Sequence, residues 1–198
     1  MKTFLHVGCG FQNKTHLKGF DNDNWKEIRL DIDKNVNPDI VGTLTDMKSV
    51  LTGSVDAVYS SHNIEHIFPH EVPIALKEFY RVLKDDGIVV ITCPDLQSVG
   101  EAIAQDKLME PLYESPMGPV TAFDVLYGHS ETTADGNIFM IHKGGFTYST
   151  LDKTFHEAGF KARYGGRRPL GCDLFLVAFK QKKPEEEIKK IAIPFFPS

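Results

Sequence analysis

The sequence predicts an α/β protein built on a mostly parallel sheet, and three features carry that expectation. Thr3 to Gly10, Thr-Phe-Leu-His-Val-Gly-Cys-Gly, is a short β-type run that stops at two glycines one residue apart. Glycine tolerates backbone angles closed to other residues and lets the chain pass close to a ligand, so the run reads as a strand ending in a cofactor loop. About twenty residues further on, Asp31 ends a second β-type run, where an acidic side chain can accept both hydroxyl hydrogens of a ribose. Strand-like and helical stretches then alternate, the pattern of a parallel α/β sheet.

The 198 residues are the size of one domain, and a net charge of -5 with no long basic run gives no electrostatic footprint for nucleic acid. No apolar run approaches the roughly 18 residues needed to span a bilayer, and no basic-then-apolar leader is present, so a cytoplasmic protein without a membrane partner is expected. Cys9, Cys93 and Cys172 are odd in number and widely spaced, which argues against a disulfide framework.

Phe11 to Asn24 is polar and reads as a short helix or a loop. Trp25 to Asp33 is the second strand, with Ile28 and Leu30 alternating before Asp31. Asn37-Pro-Asp precedes a brief third strand at Ile40 to Gly42, and Leu44 to Leu51 reads as helical with Asp46 at its cap. Val55 to Tyr59 is a fourth strand leading into Ser60-Ser61-His62-Asn63. Val72, Ala75, Leu76, Phe79 and Leu83 then recur at helical spacing, with Lys77, Glu78 and Arg81 facing away. Lys84-Asp-Asp-Gly87 ends that helix, and Ile88 to Thr92 is the continuous run expected of a strand covered on both faces.

Leu96 to Leu108 reads as helical, whereas Glu110 to Gly145 holds Pro111, Pro116 and Pro119 and is too long for a plain connector. Its aromatic and histidine residues, Tyr113, Phe123, Tyr127, His129, Phe139 and His142, favour an ordered pocket wall. Tyr148 to Gly159 returns to a helix, and Phe160 to Tyr164 with Asp173 to Lys180 reads as a hairpin closing the sheet antiparallel. The tail, Lys182 to Ser198, begins charged and ends apolar; docking on the body, docking on a second subunit as in a homodimer, and a frayed end all stay open.

Val7-Gly8-Cys9-Gly10, Arg29-Leu-Asp31-Ile-Asp33 and Val55-Asp-Ala-Val-Tyr-Ser-Ser-His-Asn-Ile-Glu-His66 together resemble the motifs of the class I S-adenosylmethionine-dependent methyltransferases, in particular the small type 11-like family. Phe79-Tyr-Arg-Val-Leu-Lys-Asp-Asp-Gly87, Cys93-Pro94-Asp95 and Ala158-Gly-Phe160 add to the likeness, which runs from Phe4 to Phe179. The resemblance implies a Rossmann-like fold, a mostly parallel seven-stranded sheet with an antiparallel last strand, and S-adenosyl-L-methionine as cofactor. It implies one methyltransferase domain over residues 1–181, with 96–147 as a substrate lid and 182–198 as a tail. Gly8, Cys9, Gly10, Asp31, Ile32, Ser61, His62 and Asn63 are the expected cofactor residues, at the strand ends where open parallel sheets bind ligands. The chain has Gly42-Thr-Leu where relatives often carry an acid near the adenine, so Leu44, Thr45 and Asp46 are the candidates there.

Methyl transfer is an in-line displacement at a carbon already activated by its sulfonium, so positioning and desolvation can carry much of it and no metal is required. A base, where the acceptor needs one, would be His142 or His129 in the lid or Asp95 at the mouth of the fifth strand. The expected acceptor is a small molecule, such as a sugar or secondary metabolite. Three other readings compete with this one. A dinucleotide oxidoreductase needs a third glycine where Asn13 stands. His62-Asn-Ile-Glu65-His66 matches the His-x-x-Glu-His pattern of zinc hydrolases, but it follows a strand directly and Pro69 comes soon after, where that pattern needs a helix. A non-catalytic methyltransferase-like subunit of an assembly is the third.

Overall fold

The computed structural model describes residues 1–115, 118–168 and 171–196. Pro116 in the lid, Pro169 and Leu170 in the terminal hairpin, and Pro197 and Ser198 in the tail lie outside them. In chain order the elements begin with β1 (Lys2–Val7), β2 (Trp25–Asp31), β3 (Ile40–Val41), β4 (Val55–Ser61), α1 (Val72–Val82) and β5 (Leu83–Pro94). Then come α2 (Leu96–Ile103), a small hairpin of β6 (Pro111–Ser115) and β7 (Gly118–Thr121), α3 (Ala122–Tyr127) and α4 (Ser130–Ala134). The chain closes with α5 (Tyr148–Glu157), β8 (Ala162–Arg168), β9 (Asp173–Phe179) and α6 (Glu185–Ala192).

Seven strands form one sheet in the order β3-β2-β1-β4-β5-β9-β8. β1 to β5 pair in parallel, and β9 runs antiparallel to both β5 and β8, as the resemblance implies. One face carries Leu5, Val7, Val58, Val89 and Ile91 under α1 and α5, whose Leu76, Phe79, Leu151 and Phe155 are buried. The helical spacing read from Val72 to Phe79 is therefore the spacing of a packing face. Lys84 to Gly87 bulges between Leu83, opposite Val55, and Ile88, opposite Ala57, so the expected turn is present as an irregularity within β5.

One expected helix, over 44–51, is absent, and 11–24 takes the loop alternative. Between β1 and β2 the chain forms only a 3-10 turn, Lys14–His16, capped by Asn13. Residues 44–51 form turns, because α1 supplies what a helix would otherwise supply internally: Glu78 accepts from the Met47 amide at 2.9 Å, and Arg81 donates to the Met47 and Val50 carbonyls at 2.9 Å each. Those side-chain bonds satisfy the backbone groups, and a segment this short does not nucleate a helix on its own.

Without a helix between β1 and β2, the second face of the sheet is left to other parts of the chain. Phe4, Ala57, Val90 and Val177 on that face are covered by Leu17, Phe20, Trp25 and the tail. Ala192 of α6 is buried, Phe195 packs on Phe20 with ring centroids 4.8 Å apart, and Phe196 meets Phe175 at 4.2 Å. Of the alternatives for the tail, docking on the body is the one observed. No helix among the described residues is long and apolar enough to cross a membrane.

Gly19 is the residue that lets the tail approach: its φ is +84°, and a Cβ there would lie 2.5 Å from the Phe195 ring. Gly19→Ala is therefore expected to cost about 1–3 kcal/mol through backbone strain and loss of ring packing. Calorimetric melting should show Tm lower by several degrees, with a similar loss on deleting residues from 184 onward. An unchanged Tm in both variants would remove the tail from the folding core.

Candidate active site

The loop after β1 is held open by its neighbours. Gly8 has φ +68° and Gly10 φ +51°, and the Asn63 side-chain amide occupies the space a Cβ on Gly8 would need. That amide donates to the Val7 carbonyl at 3.1 Å, so Asn63 braces the loop from the end of β4. The Asp31 carboxylate accepts from the Gly10 amide at 2.8 Å and from the Asp33 amide at 2.9 Å. A carboxylate has about four lone-pair positions, so capacity remains for two hydroxyl donors. Ile32 beside it is exposed, an apolar surface at a strand end where a base can lie. Cys9 is buried, and burial pushes its thiol up to about 11, which keeps it neutral.

Arg29 is the residue the sequence reading left without a role. Its guanidinium donates to the carbonyls of Gly10 at 2.6 Å, Gln12 at 3.2 Å, Val36 at 3.1 Å and Asn37 at 2.9 Å, tying the glycine loop to the turn after β2. The available signal was an arginine two residues before the ribose acid. On the adenine side Leu44 is buried, and the Thr45 hydroxyl bonds that of Thr43 at 3.1 Å. Asp46 is exposed and paired with Lys48 at 3.0 Å, so its carboxylate is turned to its own loop; it does not cap a helix. A glycine loop that admits close backbone approach, a carboxylate with free acceptor capacity and an exposed apolar residue thus lie at these strand ends, and the residues present fit S-adenosylmethionine.

The second half of the site lies where β4 and β5 end. The Ser61 and Thr92 hydroxyls bond at 2.7 Å, and the His62 amide donates to the Thr92 carbonyl at 3.0 Å with φ +46° at His62. The His62 ring lies 3.6 Å from Glu65 and 3.8 Å from Asp173. Burial pulls its imidazolium down, but these carboxylates outweigh that and raise it. Ile64–His66 then forms a 3-10 turn.

The 96–147 insertion, the expected lid, is seated on that turn. Lys143 and Gly144 donate their amides to the Glu65 carbonyl at 2.8 and 3.1 Å, and His66 donates Nδ1–H to the Ile141 carbonyl at 3.2 Å. His142 donates Nδ1–H to the Val125 carbonyl at 2.7 Å, and its ring lies 4.8 Å from that of His66. At the lid's base Leu96 donates its amide to the Phe146 carbonyl at 2.9 Å, so the two ends of the insertion are tied together. Val99, Ala102, Val120, Ala122 and Val125 give the lid a small core of its own.

Of the three expected base candidates, only His142 reaches this junction. His129 is a helix cap: its Nδ1 accepts from the Thr132 amide and bonds the Thr132 hydroxyl at 2.8 Å, so its ring is committed to α4. Asp95 is fully buried and accepts from the Gln97 amide, the Ser98 hydroxyl and the Arg167 guanidinium, the last at 2.6 Å. That carboxylate pins α2 to β8 and is not a free base. The His62 to His66 stretch lies on no α-helix, so the hydrolase pattern is not formed. Instead Glu65, His66 and His142 each offer one metal-ligand atom, and the three atoms lie within 4.8 Å of one another.

Glu65 is the anomaly of the site. It is 1% exposed, and neither carboxylate oxygen has a hydrogen-bond partner among the described residues. Burial pushes it up to about 7, while burial and the neighbouring His142 push His66 down to about 4.

Residues 5–91 match the family model described as a methyltransferase domain. No curated protein matches the sequence. Among solved structures, a protein from Pyrococcus horikoshii superposes with a TM-score of 0.60 at 16% identity, covering 91% of this chain and 82% of that one. An S-adenosylmethionine-dependent methyltransferase from Archaeoglobus fulgidus gives 0.55 at 15% identity, over 90% and 86% of the two chains. The 1,6-didemethyltoxoflavin-N1-methyltransferase of Burkholderia thailandensis, with 1,6-didemethyltoxoflavin and S-adenosylhomocysteine bound, gives 0.55 at 15%, over 91% and 72%. At these identities the likeness is one of fold.

The Glu65 carboxyl has a folded value, about 7, above its ordinary 4.5, so in chelator-treated protein its cost is absent below pH 4.5, grows between pH 4.5 and 7 and is full above 7. Glu65→Gln should accordingly raise the Tm of that protein at pH 8 and change it little at pH 4.5, read by thermal melts across pH. The opposite order would show that the carboxylate is stabilised by partners of its own.

Proposed function

From the premise that the chain carries a class I methyltransferase domain and works with S-adenosylmethionine, we propose that it methylates a small molecule held beneath residues 96–147. The observation that supports this most is the seating of the insertion: residues 141–144 bond the Glu65–His66 turn just beyond β4. As a roof it suits an acceptor small enough to be enclosed, of the size of a sugar or secondary metabolite, and the net charge of -5 does not favour a nucleic acid. The Burkholderia neighbour, with 1,6-didemethyltoxoflavin and S-adenosylhomocysteine bound, is an example of a small molecule held on this fold. A cytoplasmic location belongs to the same reading.

In this account Gly8 and Gly10 admit the cofactor's methionine part to the backbone, Asp31 takes the ribose hydroxyls, and Ile32 with Leu44 forms the apolar wall for adenine. Bound there, S-adenosylmethionine supplies a methyl group activated by its sulfonium. Asn63 and Arg29 hold the loop in place, and the lid excludes water from the strand ends. His142 is the lid residue placed to act on the acceptor.

The test is calorimetric titration with S-adenosylhomocysteine, followed by label transfer from S-adenosylmethionine into small-molecule, protein and RNA fractions of a cell extract. Label confined to macromolecules would refute the small-molecule acceptor. Asp31→Ala is expected to weaken S-adenosylhomocysteine at least about tenfold, the loss of one charge-assisted pair. His142→Ala should change that affinity less than about twofold and reduce turnover about 10- to 100-fold, in the range of a group acting on the acceptor. Equal binding by the Asp31 variant would remove the ribose assignment.

A further inference from the structure

Glu65 is charged chemistry that methyl transfer does not use, placed where two distant parts of the chain meet. We propose that Glu65, His66 and His142 form a binding site for one divalent first-row cation of the zinc, manganese or iron(II) class, joining the lid to the end of β4. The sequence reading assigned no metal, because the three residues come together only through the fold.

Four observations on the molecule point the same way. The three ligand atoms lie within 4.8 Å of one another, a spacing one ion can bridge after small side-chain adjustments. Both histidines donate Nδ1–H to backbone carbonyls, of Ile141 and Val125, so in each ring Nε2 carries the lone pair. Fixing a ring nitrogen on a carbonyl is how proteins orient an imidazole toward a metal and raise its basicity. The Glu65 carboxylate is buried without a hydrogen-bond partner among the described residues, and the one cationic group beside it, the half-exposed His62 ring at 3.6 Å, lies beyond hydrogen-bond reach, so a proton or a bound cation is what such a group calls for. Finally, the backbone holds the ligands in register, since Lys143 and Gly144, the residues after His142, both bond the Glu65 carbonyl.

Two imidazoles and one carboxylate favour zinc, iron(II) or manganese over magnesium or calcium, which take mostly oxygen ligands. Three protein ligands leave positions for water or for an oxygen of the acceptor. That last use rests on the methyl-transfer reading; the cation site itself does not. Such an ion would also staple the lid, since His142 comes from the insertion and Glu65 and His66 from the body.

The test starts from full-length protein dialysed against a chelator, titrated calorimetrically with zinc, manganese and magnesium separately, with cobalt(II) absorption reporting the ligand field. One equivalent of zinc or cobalt(II) should bind, and Glu65→Gln and His142→Ala should each weaken it by more than about tenfold. S-adenosylhomocysteine titration and thermal melting of the same samples report whether each variant is folded. Folded wild type that takes up no stoichiometric zinc, manganese or cobalt(II) would overturn the site, leaving Glu65 a buried neutral acid. Uptake unaffected by both substitutions would overturn it as well, by placing the ion elsewhere. Failure to bind S-adenosylhomocysteine with cation binding intact would count against the cofactor reading and not against this one.

Discussion

The glycine loop after β1 depends on one carboxylate and one guanidinium from β2. Where a strand leaves a sheet its backbone donors and acceptors lose their ladder partners, and they must find others. Asp31 takes the Gly10 amide and Arg29 takes the Gly10 carbonyl, so both polar groups of that residue are fixed from the neighbouring strand. The loop is thereby rigid before any ligand arrives, and Asn63 closes it from the third side. Preorganisation of this kind lowers the ordering cost of binding.

The rest of the sheet shows how local pattern and tertiary packing divide the work. Helix α1, with an apolar residue every three or four positions, and β5 and β9, with continuous apolar runs, were legible because burial on known faces dictates those periods. The segments 11–24 and 44–51 were not, because their stability comes from side chains elsewhere. Arg81 and Glu78 hold the second, and Phe195 and Phe196 from the far end of the chain cover the face beside the first. A tail whose place the sequence leaves open is, in the fold, a substitute for the helix that the first crossover lacks.

The candidate site divides along the same line. Gly8, Gly10 and Asp31 lie within one βαβ-like unit and could be read from spacing alone. Asp95 and His129 carried suitable chemistry, yet their neighbours decide their use: Arg167 neutralises the first, and α4 is capped by the second. Glu65, His66 and His142 could not be read as a group, since the last lies in an insertion whose path over the sheet no local rule specifies. What the sequence did show was an isolated His-x-x-Glu-His match, and the fold keeps two of its members while replacing the third.

The central claim is that the ends of β1, β2 and β4 hold S-adenosylmethionine. A crystal structure of the protein with S-adenosylhomocysteine tests it most directly. The account requires the ribose hydroxyls on the Asp31 carboxylate, adenine against Ile32 and Leu44, and the homocysteine part at Gly8 and Gly10. A ligand bound elsewhere, or an Asp31 carboxylate still engaged only with the Gly10 and Asp33 amides, would contradict it.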